Sequence, residues 1–109
     1  MQLIKRIRFI FLPLVILCFS PVWAEEFKVG MRDWMFHPEV LTIKTGDTVI
    51  LINDDDSHHT VTFEDATIKS SENIKPERQF YITFDKTGEY KYYCKYHRDY
   101  NMRGKIIVK

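Results

Sequence analysis

The sequence predicts an all-β domain, a sandwich or a barrel, of about seven to eight short strands. Three observations lead there. Short runs rich in Val, Ile, Thr, Tyr and Phe recur at regular intervals along residues 27–108. Turn chemistry separates them, as at Thr45-Gly46-Asp47 and Lys86-Thr87-Gly88. No stretch sustains a helical period, and there is no internal repeat or low-complexity tract.

The chain has 109 residues, which suits one domain. Residues 1–24 read as a secretory signal peptide. Lys5, Arg6 and Arg8 give a positive start, Phe9 to Phe19 is apolar apart from Pro13, and Ala24 is a small residue at the expected cut. The apolar run is short of the roughly 20 residues that span a bilayer, so no stable membrane anchor is expected after cleavage. Cys18 follows bulky Leu17, an unsuitable context for lipid attachment. The domain is then residues 25–109, exported to the periplasm. Loss of the leader removes three of the 16 Lys/Arg and none of the 15 Asp/Glu, which leaves a slightly acidic domain. No basic stripe stands out, which argues against nucleic acid as a partner.

The elements follow in order. Phe27 to Met31 is a short apolar-rich strand, and Val40 to Lys44 is a second. Thr48 to Ile52 is a β-branched run suited to a central strand covered on both faces. Asn53-Asp54-Asp55-Asp56-Ser57 is a polar loop, and His59 to Phe63 is a strand. Residues 64–78 are the least regular, with Ser70-Ser71-Glu72 placed to cap one helical turn and Pro76 limiting it. Gln79 to Phe84, Glu89 to Cys94 and Lys105 to Val108 complete the set. Between the first two strands, Met31, Trp34, Met35 and Phe36 form a soft aromatic cluster, read chiefly as core packing.

Chemistry concentrates in Cys94 to Met102, which places Cys94, His97 and Met102 in the spacing C-x2-H-x4-M. Electron-transfer copper sites use two His, one Cys and a long, weak axial Met, and this loop supplies three of the four. Without Cys18, Cys94 is the domain's only cysteine, so it has no disulfide partner within the chain. Ligation explains a lone exported thiol; an inert core cysteine is the plain alternative. Tyr90, Tyr92 and Cys94 share one strand face, which points the sulfur inward. Burial there disfavours a thiolate unless a cation compensates. His58 and His59 point to opposite sides of a strand. His59 shares parity with Val61 and Phe63 and His58 with Thr60 and Thr62, so His59 is the inward candidate and His58 a solvated one. His37, before Pro38, reads as a surface imidazole. Cys and His also suit zinc.

Together these pieces resemble the small cupredoxins of the plastocyanin, pseudoazurin and amicyanin kind. The matching segments are Phe36-His37-Pro38, residues 40–49, Asn53-Asp54, His59-Thr60-Val61, Thr87-Gly88-Glu89-Tyr90, Tyr93-Cys94, His97 and residues 102–106. The resemblance implies a Greek-key β-sandwich and one mononuclear blue copper, Cu(I)/Cu(II). It assigns the ligands to His59, Cys94, His97 and Met102. Backbone N–H groups near Thr60 and Met102 are expected at the sulfur. Two departures stand out. Tyr96 and Arg98 flank His97 where relatives often carry Pro, and Thr60 replaces an Asn that in many members ties the two ligand loops together. The loop Arg98-Asp99-Tyr100-Asn101 makes the surface beside His97 more polar than is usual.

The expected function is therefore a monomeric one-electron carrier whose redox partner protein docks around His97. The alternative is a copper storage or delivery protein, motivated by that polar loop and by the Met-rich segment near Trp34. An enzyme is not expected: no nucleophile–base pair or phosphate loop is present, and four protein ligands leave no open metal position.

Overall fold

The computed structural model describes residues 23–109. The predicted leader lies outside these residues except for Trp23 and Ala24, which are exposed and without regular structure. Eight strands follow: β1 (Glu26–Arg32), β2 (Met35–His37), β3 (Val40–Ile43), β4 (Thr48–Asn53), β5 (Thr62–Phe63), β6 (Gln79–Thr83), β7 (Gly88–Tyr93) and β8 (Arg103–Val108). They form two four-stranded sheets, ordered β2-β1-β4-β6 and β3-β8-β7-β5. β1–β4 and β3–β8 are parallel, and the other pairs are antiparallel.

Alternation decides what fills the core. Val29 and Met31 on β1, Val49 and Leu51 on β4, Tyr92 on β7, and Ile106 and Val108 on β8 all face inward. Each such apolar side chain contributes roughly 1.5–3 kcal/mol through burial. β4 is the central strand the sequence predicts: it lies between β1 and β6, and Val49, Ile50 and Leu51 are buried in succession. Parity also holds on β6, where Phe80 and Ile82 are half-buried and Tyr81 is exposed.

Three expectations need correction. The strand predicted from His59 shrinks to Thr62–Phe63, and His59 instead makes an isolated bridge to Ile74. Ser70 and Ser71 cap no helical turn. Their hydroxyls accept hydrogen bonds from Phe63 N–H (2.9 Å) and Val61 N–H (2.7 Å), which satisfies donors beside the short β5 strand. Met35–His37 forms a strand that the sequence does not signal, because three residues are too few for period-2 alternation to register.

The Thr45-Gly46-Asp47 turn is closed by a carboxylate. Asp47 accepts from Glu25 N–H at 2.9 Å and from Lys44 N–H at 2.8 Å. These two bonds hold its acid below the ordinary value of 3.8. A depressed carboxylate contributes stability that is complete above its ordinary value and disappears as pH falls through the folded one. Asp47→Asn is therefore expected to lower the melting temperature at pH 7, with the gap to the parent closing below pH 3.8 in melts recorded across acidic pH. A gap that stays constant down to the acid transition would contradict this role.

Candidate metal centre

Three segments converge at one end of the sandwich. The loop after β4 brings His59, the end of β7 brings Cys94, and the loop from β7 to β8 brings His97. The Cys94 Sγ lies 3.6 Å from His59 Nδ1 and 3.5 Å from His97 Nδ1. The three donor atoms lie within 4.8 Å of one another. A single ion with bonds of about 2.0 Å to nitrogen and about 2.3 Å to sulfur accounts for such S···N spacings at angles near roughly 110°. One soft thiolate with two imidazoles suits copper or zinc.

Local structure explains each placement. Asn53, fully buried at the end of β4, organises the polar loop. Its Nδ2 donates to the carbonyls of Ser57 (2.8 Å) and Ile74 (2.9 Å), and its Oδ1 accepts from Asp55 N–H (2.9 Å). The loop can then present Asp55 Oδ2 to His59 Nε2 at 2.7 Å. A carboxylate on the far nitrogen fixes the imidazole tautomer and leaves Nδ1 free as a donor. His59 is wholly buried with Val61, as its parity predicts, while His58 is exposed and bonded to Asn73. His37 is half-buried, its Nε2 3.0 Å from the Arg32 carbonyl, and it stands apart from the centre.

The ligand loop is pinned at its neck. Cys94 N–H donates to the Met102 carbonyl (3.0 Å), and Met102 N–H donates to the His97 carbonyl (3.3 Å). Between them, Arg98–Tyr100 forms one 3₁₀ turn closed by Asn101 in the left-handed region. Met102 is fully buried in the core.

Thr60 corrects the parity reading. Parity places it on the solvated face with His58, yet it is fully buried. Its N–H points at Cys94 Sγ (3.4 Å), and its Oγ1 accepts from Lys95 N–H (3.0 Å) and pairs with Thr62 Oγ1 (3.0 Å). A threonine thus ties the two ligand loops. Thr60→Val keeps the shape and removes the acceptor. It is expected to cost about 1 kcal/mol in chemical denaturation, and faster exchange of the Lys95 amide would localise the loss.

The electrostatics follow from these contacts. Burial pushes the Cys94 thiol up, but bonds from His59, the Thr60 and Tyr96 N–H groups and His97 pull it down to about 6. The expected conflict between burial and the thiolate is thus already resolved by donors of the chain itself. One predicted donor is confirmed at Thr60, whereas the Met102 N–H is spent on the His97 carbonyl. Burial lowers His59, but Cys94 and Asp55 outweigh it and raise its affinity for a proton. Burial raises Asp55, and bonds from His59, Trp34 and Asp33 bring it below the carboxylate norm.

The aromatic cluster near Trp34 divides. Met31 and Phe36 are core, as predicted. Trp34 instead lies stacked on His97, with ring centroids 4.2 Å apart at 29°, and Tyr100 meets the indole edge-on at 5.1 Å. The face beside His97 is therefore more aromatic than the polar loop sequence predicts. Sequence reasoning puts Trp34 chiefly in core packing, with a shield for the site as the second reading, and it misses Asp55 as a site residue. Asp55 had one usable signal, a carboxylate four positions before a candidate ligand, but three consecutive Asp residues hide which one reaches the ring.

Comparison with known proteins agrees with this geometry. Residues 9–108 match the family described as Cupredoxin-like domain. The chain is 35% identical to the chloroplastic plastocyanin of Chlamydomonas reinhardtii over 67% of its own length, and it spans 57% of that relative. It is 34% identical to plastocyanin of Synechococcus sp. (strain JA-2-3B'a(2-13)), over 98% of this chain and 95% of the relative. With amicyanin of Paracoccus versutus the identity is 31%, over 82% and 69% respectively. The solved Cu(I) form of an amicyanin mutant superposes with a TM-score of 0.72 at 29% identity, over 83% of this chain and 88% of that one. This chain belongs to the cupredoxin-like family and has its two-sheet β-sandwich fold.

Proposed function

We propose that the protein is an exported one-electron carrier whose single type 1 copper is held by His59, Cys94 and His97, with Met102 as the weak axial contact. The observation that carries this reading is the pair of imidazole Nδ1 atoms 3.5 and 3.6 Å from a fully buried thiol already inclined to ionise. When bound, copper supplies the transferred electron by alternating between Cu(I) and Cu(II). The chain's own contribution is rigidity. His59 is fixed by Asp55, Cys94 by the Met102 carbonyl and Thr60, and His97 by the pinned loop. Donors that hold their places between two charge states keep the reorganisation cost of electron transfer small. Four protein donors leave no position for a substrate, so the protein is read as a carrier and not an enzyme.

His97 is half-buried in a surface loop and is the electron port. Around it Trp34, Tyr96 and Tyr100 are exposed, a surface on which a redox partner protein would dock while the carrier stays monomeric. Export to the periplasm rests on the leader sequence. The cut after Ala24 is supported by where the fold begins: Ala24 is exposed, and Glu25 N is already held by Asp47.

Two experiments on the copper-loaded protein test this reading. Alternate addition of reductant and oxidant is expected to cycle one electron per chain with copper retained. Competition with a copper chelator separates carriage from delivery. Copper that survives the challenge in both oxidation states fits the carrier, and copper surrendered on reduction makes storage or delivery the better description.

A further inference from the structure

Asp55 joins the two imidazoles of the centre by a route that bypasses the thiol. Its Oδ2 meets His59 Nε2 at 2.7 Å. The same carboxylate accepts from Asp33 N–H through Oδ1 (2.8 Å) and from Trp34 N–H through Oδ2 (3.1 Å). Asp33 and Trp34 are the two-residue turn between β1 and β2, closed by the Arg32–Met35 pair. Both have positive φ, 55° and 58°. Two-residue hairpin loops with positive φ at both positions favour Asn, Asp or Gly followed by Gly, so Asp33 suits its place and Trp34 is the residue that does not. A non-Gly residue held there costs on the order of 1–3 kcal/mol and persists where its surroundings impose it. The Asp55 carboxylate is such a constraint. The turn's product is the indole of Trp34, laid over His97 at 4.2 Å with Tyr100 at its edge.

We propose that Asp55 and Trp34 act as one clamp that positions both imidazoles: His59 through a direct hydrogen bond, and His97 through an indole stack whose turn Asp55 holds in place. Both are positioning residues. The consequence for electron transfer rests on the copper-carrier reading; the geometry does not. Asp55 fixes the His59 tautomer so that Nδ1 faces the sulfur. Trp34 covers one face of His97 and restricts rotation of the ring; among the described residues its Nδ1 bonds to Cys94 Sγ and no carboxylate holds it. His59 is held by a charge-assisted hydrogen bond inside the fold and His97 by stacking near the surface, and one carboxylate supports both.

The test uses His ring-proton NMR on the metal-free protein, then the reduction potential and affinity of the copper form. In the parent, the indole is expected to shift the His97 ring protons upfield. Trp34→Ala loses that shift and Trp34→Phe restores part of it. Asp55→Asn is the diagnostic variant. The clamp predicts that its His97 signals move toward their Trp34→Ala positions, although the hydrogen bonds of Asp55 go to His59, Asp33 and Trp34. The double variant is expected to move them no further than Trp34→Ala alone. Copper affinity in Asp55→Asn falls about 10–100-fold, the usual loss when the partner of a ligating His is removed, and the potential moves in both single variants. His97 signals unchanged in a folded Asp55→Asn protein would overturn the proposal. If Asp55→Asn fails to fold, Asp55→Glu retains the charge on a longer arm, is expected to displace the same His97 signals, and overturns the proposal if it does not. A protein that couples the two rings but takes up no copper retires the carrier reading and keeps the clamp. A blue, reversible protein without the coupling retires the clamp alone.

Discussion

Cys94→Ser is expected to abolish tight copper binding and any visible colour while leaving a folded protein. The sulfur is the point to which Thr60 N–H, Tyr96 N–H and both imidazoles are directed, so the variant removes the group that the site is built around. Loss of an outer partner of a ligand costs about 10–100-fold in affinity, so loss of the thiolate itself is expected to cost more than about 100-fold. The fold should survive. A serine hydroxyl is smaller than the thiol and finds the Thr60 N–H and two ring nitrogens already placed to bond it, so the stability loss is set near about 1 kcal/mol, the scale of one hydrogen bond. Calorimetric copper titration read beside a metal-free thermal melt separates the two effects. Copper affinity within tenfold of the parent would mean that the thiol is an inert core group. Collapse of the metal-free melt would mean that its packing matters more than its chemistry.

The second large effect concerns stability at the strand that delivers Cys94. Tyr92 is buried against Phe36 and Phe63, with ring centroids at 4.7 and 5.7 Å. The far end of its ring also lies over Gly104, its register partner on the adjoining strand β8. A Cβ at residue 104 would overlap the Cζ and hydroxyl of Tyr92, whose ring is packed edge-on with Phe36 and Phe63. Gly104→Ala is therefore expected to destabilise by about 1–3 kcal/mol or more, as overpacking does. The Tyr92 hydroxyl is also buried without a hydrogen-bond partner among the described residues, and burial, with the Glu39 charge, raises its pKa. Leaving a hydroxyl unpaired in the interior costs about 1–3 kcal/mol. Tyr92→Phe removes that burden, so the expected sign is a gain in stability, and it also removes one of the atoms that an alanine at 104 would strike. Urea denaturation of both single variants and of the pair gives the answer. The loss at Gly104→Ala should be smaller in the Tyr92→Phe background. A Tyr92→Phe protein less stable than the parent would show that the hydroxyl has a partner, such as a bound water.

Most of the scaffold was legible because it obeys short-range rules. β4 announced itself through consecutive β-branched and aliphatic residues, its neighbour β1 through a short apolar-rich run, and β6 through period-2 parity. The inward sulfur of Cys94 followed from Tyr90 and Tyr92, and the choice of His59 over His58 from Val61 and Phe63. What escaped was contact between segments distant in sequence. Trp34 reads as core beside Met31 and Phe36, and only the turn at Asp33–Trp34 swings it out over His97, 63 positions along the chain. Thr60 reads as solvated by parity, but residues 59–61 precede β5 and His59, Thr60 and Val61 are buried in succession, so parity separates His58 from His59 without extending to Thr60. Asp55 reads as one of three loop acids until Asn53 fixes the loop. The candidate ligands stand out because they carry soft or titratable atoms. Trp34, Thr60 and Asp55 act by holding other residues, and of these only Asp55 carries a signal, its spacing to His59, which two neighbouring acids obscure.

The most direct test of the central claim is the visible absorption spectrum after addition of one equivalent of copper(II). The account predicts an intense band near about 600 nm, where thiolate-to-copper charge transfer falls in sites of this type, bleached by one electron per chain, restored on reoxidation and absent in Cys94→Ser. A pale or colourless complex, or a band that persists without the thiol, would contradict a type 1 centre at His59, Cys94 and His97.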